Sequence, residues 1–221
     1  MLPEAFYARP AEVVAPALLG QTLVVTVGSV QAQQDTNSER SARTHQRDKR
    51  QLPAGRYRVR IVETEAYVGT HDLACHASKG RTPRTEVMFG AAGLVYVYLI
   101  YGMYHMLNIV TGQVGEGQAV LIRAVEPLEP PTLPVNTNGP GKLCRALDID
   151  KRHNGRSLHR SLHKSLRGSL QSEALHLCAG TPPRRVITTP RIGIDYAGDW
   201  KDAPLRFFDA DSAHVSKRRK Q

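Results

Sequence analysis

Only three cysteines, Cys75, Cys144 and Cys178, occur in the 221 residues, and no two form a CxxC pair. Neither a disulfide scaffold nor a thiolate zinc site is indicated, and reduced thiols in an intracellular protein are the expectation. No secretory leader is expected at Met1 to Gly20, which holds Glu4, Arg9, Glu12 and three prolines where a leader needs an apolar run. Charge is missing from Val87 to Gly115, which contains no Asp, Glu, Lys or Arg. About 20 apolar residues suffice for a transmembrane helix, but this run would bury four tyrosines, His105 and Asn108 in lipid, a costly arrangement. Its β-branched and aromatic residues, broken at Gly102, predict two buried strands joined by a tight turn.

Several catalytic signatures are also absent. Lys142 is followed by Leu143, and no glycine stands five residues before Gly141, so there is no Walker loop. No nucleophile elbow and no HExxH occur. His71, Asp72, Cys75 and His76 lie close together, but four ligands within six residues match no usual zinc spacing. No metal and no cofactor are expected.

What is abundant is positive charge, with a net +10. Residues 151 to 171 carry six Lys or Arg and no acid, and Lys217, Arg218, Arg219 and Lys220 add four. The rest of the chain is formally neutral, so net charge alone does not argue for nucleic-acid binding. The tail adds salt-sensitive, sequence-independent attraction to phosphates and, in a eukaryote, would read as a weak nuclear signal.

The length suits one domain, spanning 1–221. Residues 2 to 20 predict a helical lead-in limited by Pro10 and Pro16, and Thr22 to Val27 a strand ended by Gly28. Gln31 to Gln51 is polar and poor in apolar residues, and 157 to 170 repeats Ser-Leu every four positions. Mobile insertions at 31–51 and 151–171 and a basic tail at 215–221 are expected. Gly117 to Val125 predicts a strand, Lys142 to Ile149 a short helix after a turn, and Arg191–Ile194 and Leu205–Phe208 strand-like pieces.

Arg56 to Val68 alternates, with Tyr57, Val59 and Ile61 on one face and Arg56, Arg58 and Arg60 on the other. Parity places Glu63, Glu65 and Tyr67 on the face of Val59 and Ile61. A carboxylate held there is expensive unless needed. A strand ending near Val62 would instead leave both acids in solvent.

Beside this strand stand the tyrosine-rich hairpin, Asn108 and Arg123. The stretches Leu18–Leu23, Arg60–Tyr67, Ala74–His76, Thr82–Arg84, Val87–Phe89, Tyr96–Tyr104, Leu107–Ile109, Val120–Leu128, Gly139–Cys144 and Pro204–Phe207 together resemble the alkyladenine DNA glycosylase family, also called 3-methyladenine or methylpurine DNA glycosylases. They cover most of the chain in the family's order, leaving out chiefly the two insertions.

The resemblance implies an α+β fold: one compact domain on a curved, mainly antiparallel sheet with a hairpin that enters the DNA minor groove. It implies Glu65 as the general base that activates water, with Arg123 holding that water and the carboxylate. Tyr67 and Tyr98 would sandwich a flipped base, His76 would touch its edge, and Asn108 would screen against the guanine amino group. Tyr101 would fill the gap left in the duplex, with Met103, Tyr104, Arg84 and Lys142 as further DNA contacts.

The expected reaction releases an alkylated or deaminated purine from duplex DNA, the substrates being 3-methyladenine, 7-methylguanine, hypoxanthine and ethenoadenine. Departure of the base leaves an oxocarbenium-like sugar, which calls for a nearby negative charge and an oriented water. With no lysine in the matched pocket, a monofunctional enzyme is expected, acting as a cytoplasmic, nucleoid-associated monomer. Two alternatives are a non-enzymatic damaged-DNA-binding module on the same scaffold and a basic membrane-associated protein using residues 87 to 115.

Overall fold

The computed structural model of the protein describes residues 1–27, 52–159 and 175–216. Two short helices, α1 (Glu4–Tyr7) and α2 (Ala11–Leu18), lead into an eight-stranded sheet. Pro10 separates them, as its fixed φ suits a helix start, and Pro16 is accommodated inside α2. The strands are β1 (Thr22–Val27), β2 (Gly55–Tyr67), β3 (Val95–Ile100), β4 (Tyr104–Thr111), β5 (Gln118–Glu129), β6 (Leu175–Cys178), β7 (Val186–Thr189) and β8 (Arg206–Asp209). A third helix, α3 (Pro140–Ala146), begins at a proline and follows Gly139.

Every strand pairing is antiparallel, and the main path runs β3-β4-β5-β2-β1-β6. Strand β2 is the spine. One edge pairs with β5 from Arg58 to Tyr67, while the other is shared by β1 along its first half and β8 at Glu63–Glu65. The charge-free run forms β3, β4 and their turn, and among the described residues no helix is long and apolar enough to cross a membrane. The fold is therefore α+β, on a curled antiparallel sheet.

The larger core lies under α2 and α3, where Leu18, Ile61, Leu107, Ile109, Ile122 and Leu143 are fully buried. At about 25 cal/mol per Å² of apolar surface, each such side chain contributes roughly 1.5–3 kcal/mol. A second cluster on the opposite face gathers Cys75, Met88, Phe89, Tyr96 and Ala119 around Tyr67 and Tyr98.

The alternation of β2 does not carry through past Ile61. Register shifts leave Val62 without a partner on β5 and Arg123 without a partner on β2, so both strands change phase at one level. Beyond it Thr64, Ala66 and Val68 take the side of Ile61: Ala66 and Val68 join the larger core and Thr64 Oγ1 donates to Ala15 O of α2. Glu63, Glu65 and Tyr67 consequently face the other way. They are not solvated either, since Glu63 and Glu65 have 0% exposure.

Strand β7 occupies 186–189, and Arg191–Ile194 is a loop. Pro190 cannot donate to a ladder, Gly193 takes φ +77°, and the Arg191 side chain is turned inward. Most of the anticipated insertions lies outside the described residues. Residues 151–159, however, belong to the folded body: Lys151–His153 forms a 3₁₀ turn closed by a capping box from Asp150, and Leu158 is buried. Val215 and Ser216, at the start of the basic tail, are likewise packed, Ser216 against Glu63.

Candidate active site

A cavity of about 130 Å³ opens on the second face, lined by Tyr67, His76, Tyr96, Tyr98, Asn108 and Arg123 together with Met88, Leu121, Pro140, Ile192, Ile194 and Tyr196. The phase change in β2 and β5 aims both Tyr67 and Arg123 into it. Tyr96 and Tyr98 share the facing side of β3, with ring centroids 5.5 Å apart.

Glu65 sits beneath this cavity and both of its oxygens are engaged. Oε1 accepts from the backbone N–H of Ile192 at 2.8 Å and pairs with Arg123 Nη1 at 3.2 Å, and Oε2 accepts from the Tyr67 hydroxyl at 2.9 Å. Burial pushes the Tyr67 phenol well above its usual range, with the Glu65 charge adding to the rise, so it stays a neutral donor. Arg123 is opposed by burial, but Glu65 and Glu63 more than offset this and raise it above its ordinary value; it remains charged.

His76 lies at the cavity wall with Nδ1 3.0 Å from the Tyr96 hydroxyl and its ring centroid 4.3 Å from that of Tyr98. Burial, then the nearby Arg84, lowers it to about 4, which makes it a neutral ring at pH 7. Asn108 is buried, and its amide donates to the carbonyls of Tyr96 and Met106, both at 3.2 Å. Those bonds fix the amide in one orientation across the β3–β4 hairpin.

The hairpin tip is Tyr101-Gly102-Met103. Tyr101 is 82% exposed with φ +52°, and Met103 is 61% exposed. A left-handed tyrosine costs roughly 1–2 kcal/mol, an outlay without return in packing. Tyr104 lies lower, under α3, where a Cβ on Gly141 would come within 2.9 Å of its ring, and Arg145 stacks on that ring at 5.1 Å. Arg84 is exposed, reaches the Leu99 carbonyl at 3.3 Å and lies 5.5 Å over Tyr98. Lys142 is an exposed residue of α3 and bonds Asn138.

Glu65, Arg123, Tyr67, Tyr98, His76 and Asn108 are thus gathered in one place, with Arg84 beside Tyr98. Tyr101 and Met103 stand apart on the protruding tip, and Lys142 is a surface residue. Sequence reading missed the supports behind these groups. Arg191 makes a two-pronged pair with Asp72 at 2.5 and 2.8 Å, donates to Ala66 O, and stacks over Tyr67 at 4.8 Å. This holds the 190s loop so that the next residue, Ile192, points its N–H at Glu65. Arg206 and Ser216 were missed as well, and Glu63 was read only as an acid sharing the face of Glu65, with no role of its own. For Arg191 the available signal was its partner Asp72, which had been weighed only as a zinc ligand.

An exposed aromatic tip, an aromatic cavity and a buried carboxylate–arginine pair define a class of site suited to a planar base and hydrolytic chemistry. The family described as Methylpurine-DNA glycosylase matches residues 48–213. A protein of Myxococcus xanthus named "Putative 3-methyladenine DNA glycosylase" is 50% identical over 98% of this chain and 93% of its own length. Proteins of the same name from Methanocella arvoryzae (99% of this chain and 96% of theirs) and Legionella pneumophila strain Lens (98% of each) are 43% and 42% identical. The chain belongs to the methylpurine-DNA glycosylase family. That makes it a DNA repair glycosylase, a hydrolase of N-glycosyl bonds with DNA as substrate.

Proposed function

We propose that this protein flips a damaged purine nucleotide out of duplex DNA into the Tyr67–Tyr98 cavity and hydrolyses its glycosidic bond with a water activated by Glu65. The observation that carries this reading is Glu65 itself, fully buried and bonded to Tyr67, Arg123 and Ile192 of the wall of an aromatic cavity. A carboxylate offers about four acceptor positions, and three are used by Ile192, Arg123 and Tyr67. The remaining one takes the water. As the base departs with the electron pair of its bond to C1′, the water oxygen bonds C1′ and its proton passes to Glu65, while the carboxylate charge stabilises the oxocarbenium-like sugar.

Tyr101 occupies the space left by the flipped nucleotide, since an apolar or aromatic wedge repays part of the unstacking cost. Arg84, Met103, Tyr104 and Lys142 hold the flanking DNA, and Asn108 excludes the guanine amino group. The substrates are purines weakened by alkylation or deamination: 3-methyladenine, 7-methylguanine, hypoxanthine and ethenoadenine. Among the described residues no lysine lines the cavity, which supports an abasic site with an uncut strand as the product. Every group invoked comes from one chain, which acts as a monomer on chromosomal DNA in the cytoplasm.

The test is base release from duplexes carrying one of these lesions, comparing the wild type with Glu65→Gln. Glu65→Gln is expected to bind the duplexes and release no base above background; equal release by both proteins overturns the mechanism. If neither releases base while both bind damaged duplex, the protein is a non-enzymatic damage-binding module.

A further inference from the structure

Glu63 has no exposed surface and no part in the chemistry above. Neither acid lines the cavity itself, but Glu65 bonds three residues that do, Tyr67, Arg123 and Ile192, whereas Glu63 bonds only one, Arg123. Its Oε1 accepts from Arg123 Nε at 3.1 Å, Arg206 Nε at 2.7 Å and Ser216 Oγ at 2.9 Å, and its Oε2 accepts from Ser216 N at 2.7 Å. With about two acceptor positions on each carboxylate oxygen, Oε1 is fully taken and Oε2 half used, so the acid is committed largely to the protein's own donors. Four donors, from two neighbouring strands and the C-terminal segment, therefore converge on an acid set back from the cavity.

The same guanidinium joins the two acids, turning Nε to Glu63 and Nη1 to Glu65. An arginine left alone with one carboxylate tends to take it with two parallel N–H bonds. On Glu65 that fork would occupy the position the water needs.

We propose that Glu63 is a positioning residue for the hydrolysis, holding Arg123 by its Nε so that only Nη1 reaches Glu65, and that Ser216 locks Glu63 in this role from the C-terminal segment. The proposal rests on Glu65 being the base. The charged and titratable groups facing the pair are Arg123 of β5, Arg206 of β8, Tyr67 of β2, Tyr98 of β3 and Arg191 of the 190s loop. Arg191 is itself paired with the buried Asp72, which leaves Arg123 and Arg206 as the counter-charges of the two glutamates. Neutralising Glu63 leaves Arg123 to pair fully with Glu65, which makes Glu65 harder to protonate and harder to reach.

The experiment measures single-turnover release of hypoxanthine from a duplex across pH, with Glu63→Gln, Ser216→Ala and Glu65→Gln alongside the wild type. Binding of a duplex with a tetrahydrofuran abasic-site analogue and thermal melting are followed in parallel. Glu63→Gln is expected to lower the plateau rate about 10- to 100-fold, to shift the acid limb to lower pH and to leave analogue binding within about twofold. That loss corresponds to about 1.4–2.8 kcal/mol. Ser216→Ala removes one donor and no charge, and is expected to lower the plateau about threefold with normal melting; it carries the test if Glu63→Gln does not fold. A folded Glu63→Gln with reduced melting temperature but wild-type plateau and acid limb overturns the proposal, as does an unchanged Ser216→Ala when Glu63→Gln is unfolded. Activity in Glu65→Gln would instead overturn the base assignment itself.

Discussion

Arg191 lies across the ring of Tyr67, which lines the cavity, while both its terminal nitrogens hold Asp72. The pair has 0% side-chain exposure on either side, so each charge depends on the other. Through the adjacent Ile192 N–H, this pair also sets one of the contacts to Glu65.

Asp72→Asn leaves that arginine without its counter-charge. Breaking a buried pair by removing one partner costs about 3–5 kcal/mol, so denaturant unfolding should show a loss in this range. Base release should also fall below what the unfolded fraction explains, because the loop no longer presents Ile192.

Tyr67→Phe keeps the aromatic wall and deletes the hydroxyl that donates to Glu65 Oε2. Hydrogen bonds to charged groups are worth about 1.5–3 kcal/mol. A single-turnover assay should show a rate decrease of about 10- to 100-fold, with binding of an abasic-analogue duplex nearly unchanged.

Tyr101→Ala should affect capture rather than chemistry. The side chain is 82% exposed, so stability is expected to stay within about 0.5 kcal/mol. Affinity for an abasic-analogue duplex should drop about tenfold or more, and the rate at saturating protein should change less. Unchanged affinity would remove the wedge from the mechanism.

His76 gives the fold a pH dependence with a defined sign. Its folded value is about 4 against 6.5 for the free ring, so between these pH values the unfolded chain binds a proton that the native state refuses. Stability therefore falls as pH drops from about 6.5 to 4, by at most about 3 kcal/mol, and partial exposure of the ring to solvent reduces that. Urea midpoints across this window should slope less in His76→Gln than in the wild type.

The strands were legible where alternation or composition was strong. Thr22–Val27 forms as expected, and the charge-free run gives the two strands and the turn at Gly102. The identities of the cavity residues were legible as motifs. The direction of Glu65 was not, because the step at Val62 and Arg123 is made jointly by two strands almost sixty residues apart, and period-two counting in either one misses it. Nor were Arg191, Arg206 and Ser216, whose importance comes only from the long-range contacts they make.

That joint step also limits how the gene can change. Val62 and Arg123 each stand outside the ladder at one level, so pairing on both sides of them keeps the same offset. A codon lost from one strand alone would set the halves of the sheet one residue out of step, whereas substitutions on the core side leave the carboxylate's direction untouched. Length in these two strands is thus more tightly constrained than composition, and viable insertions or deletions should accumulate in the loops.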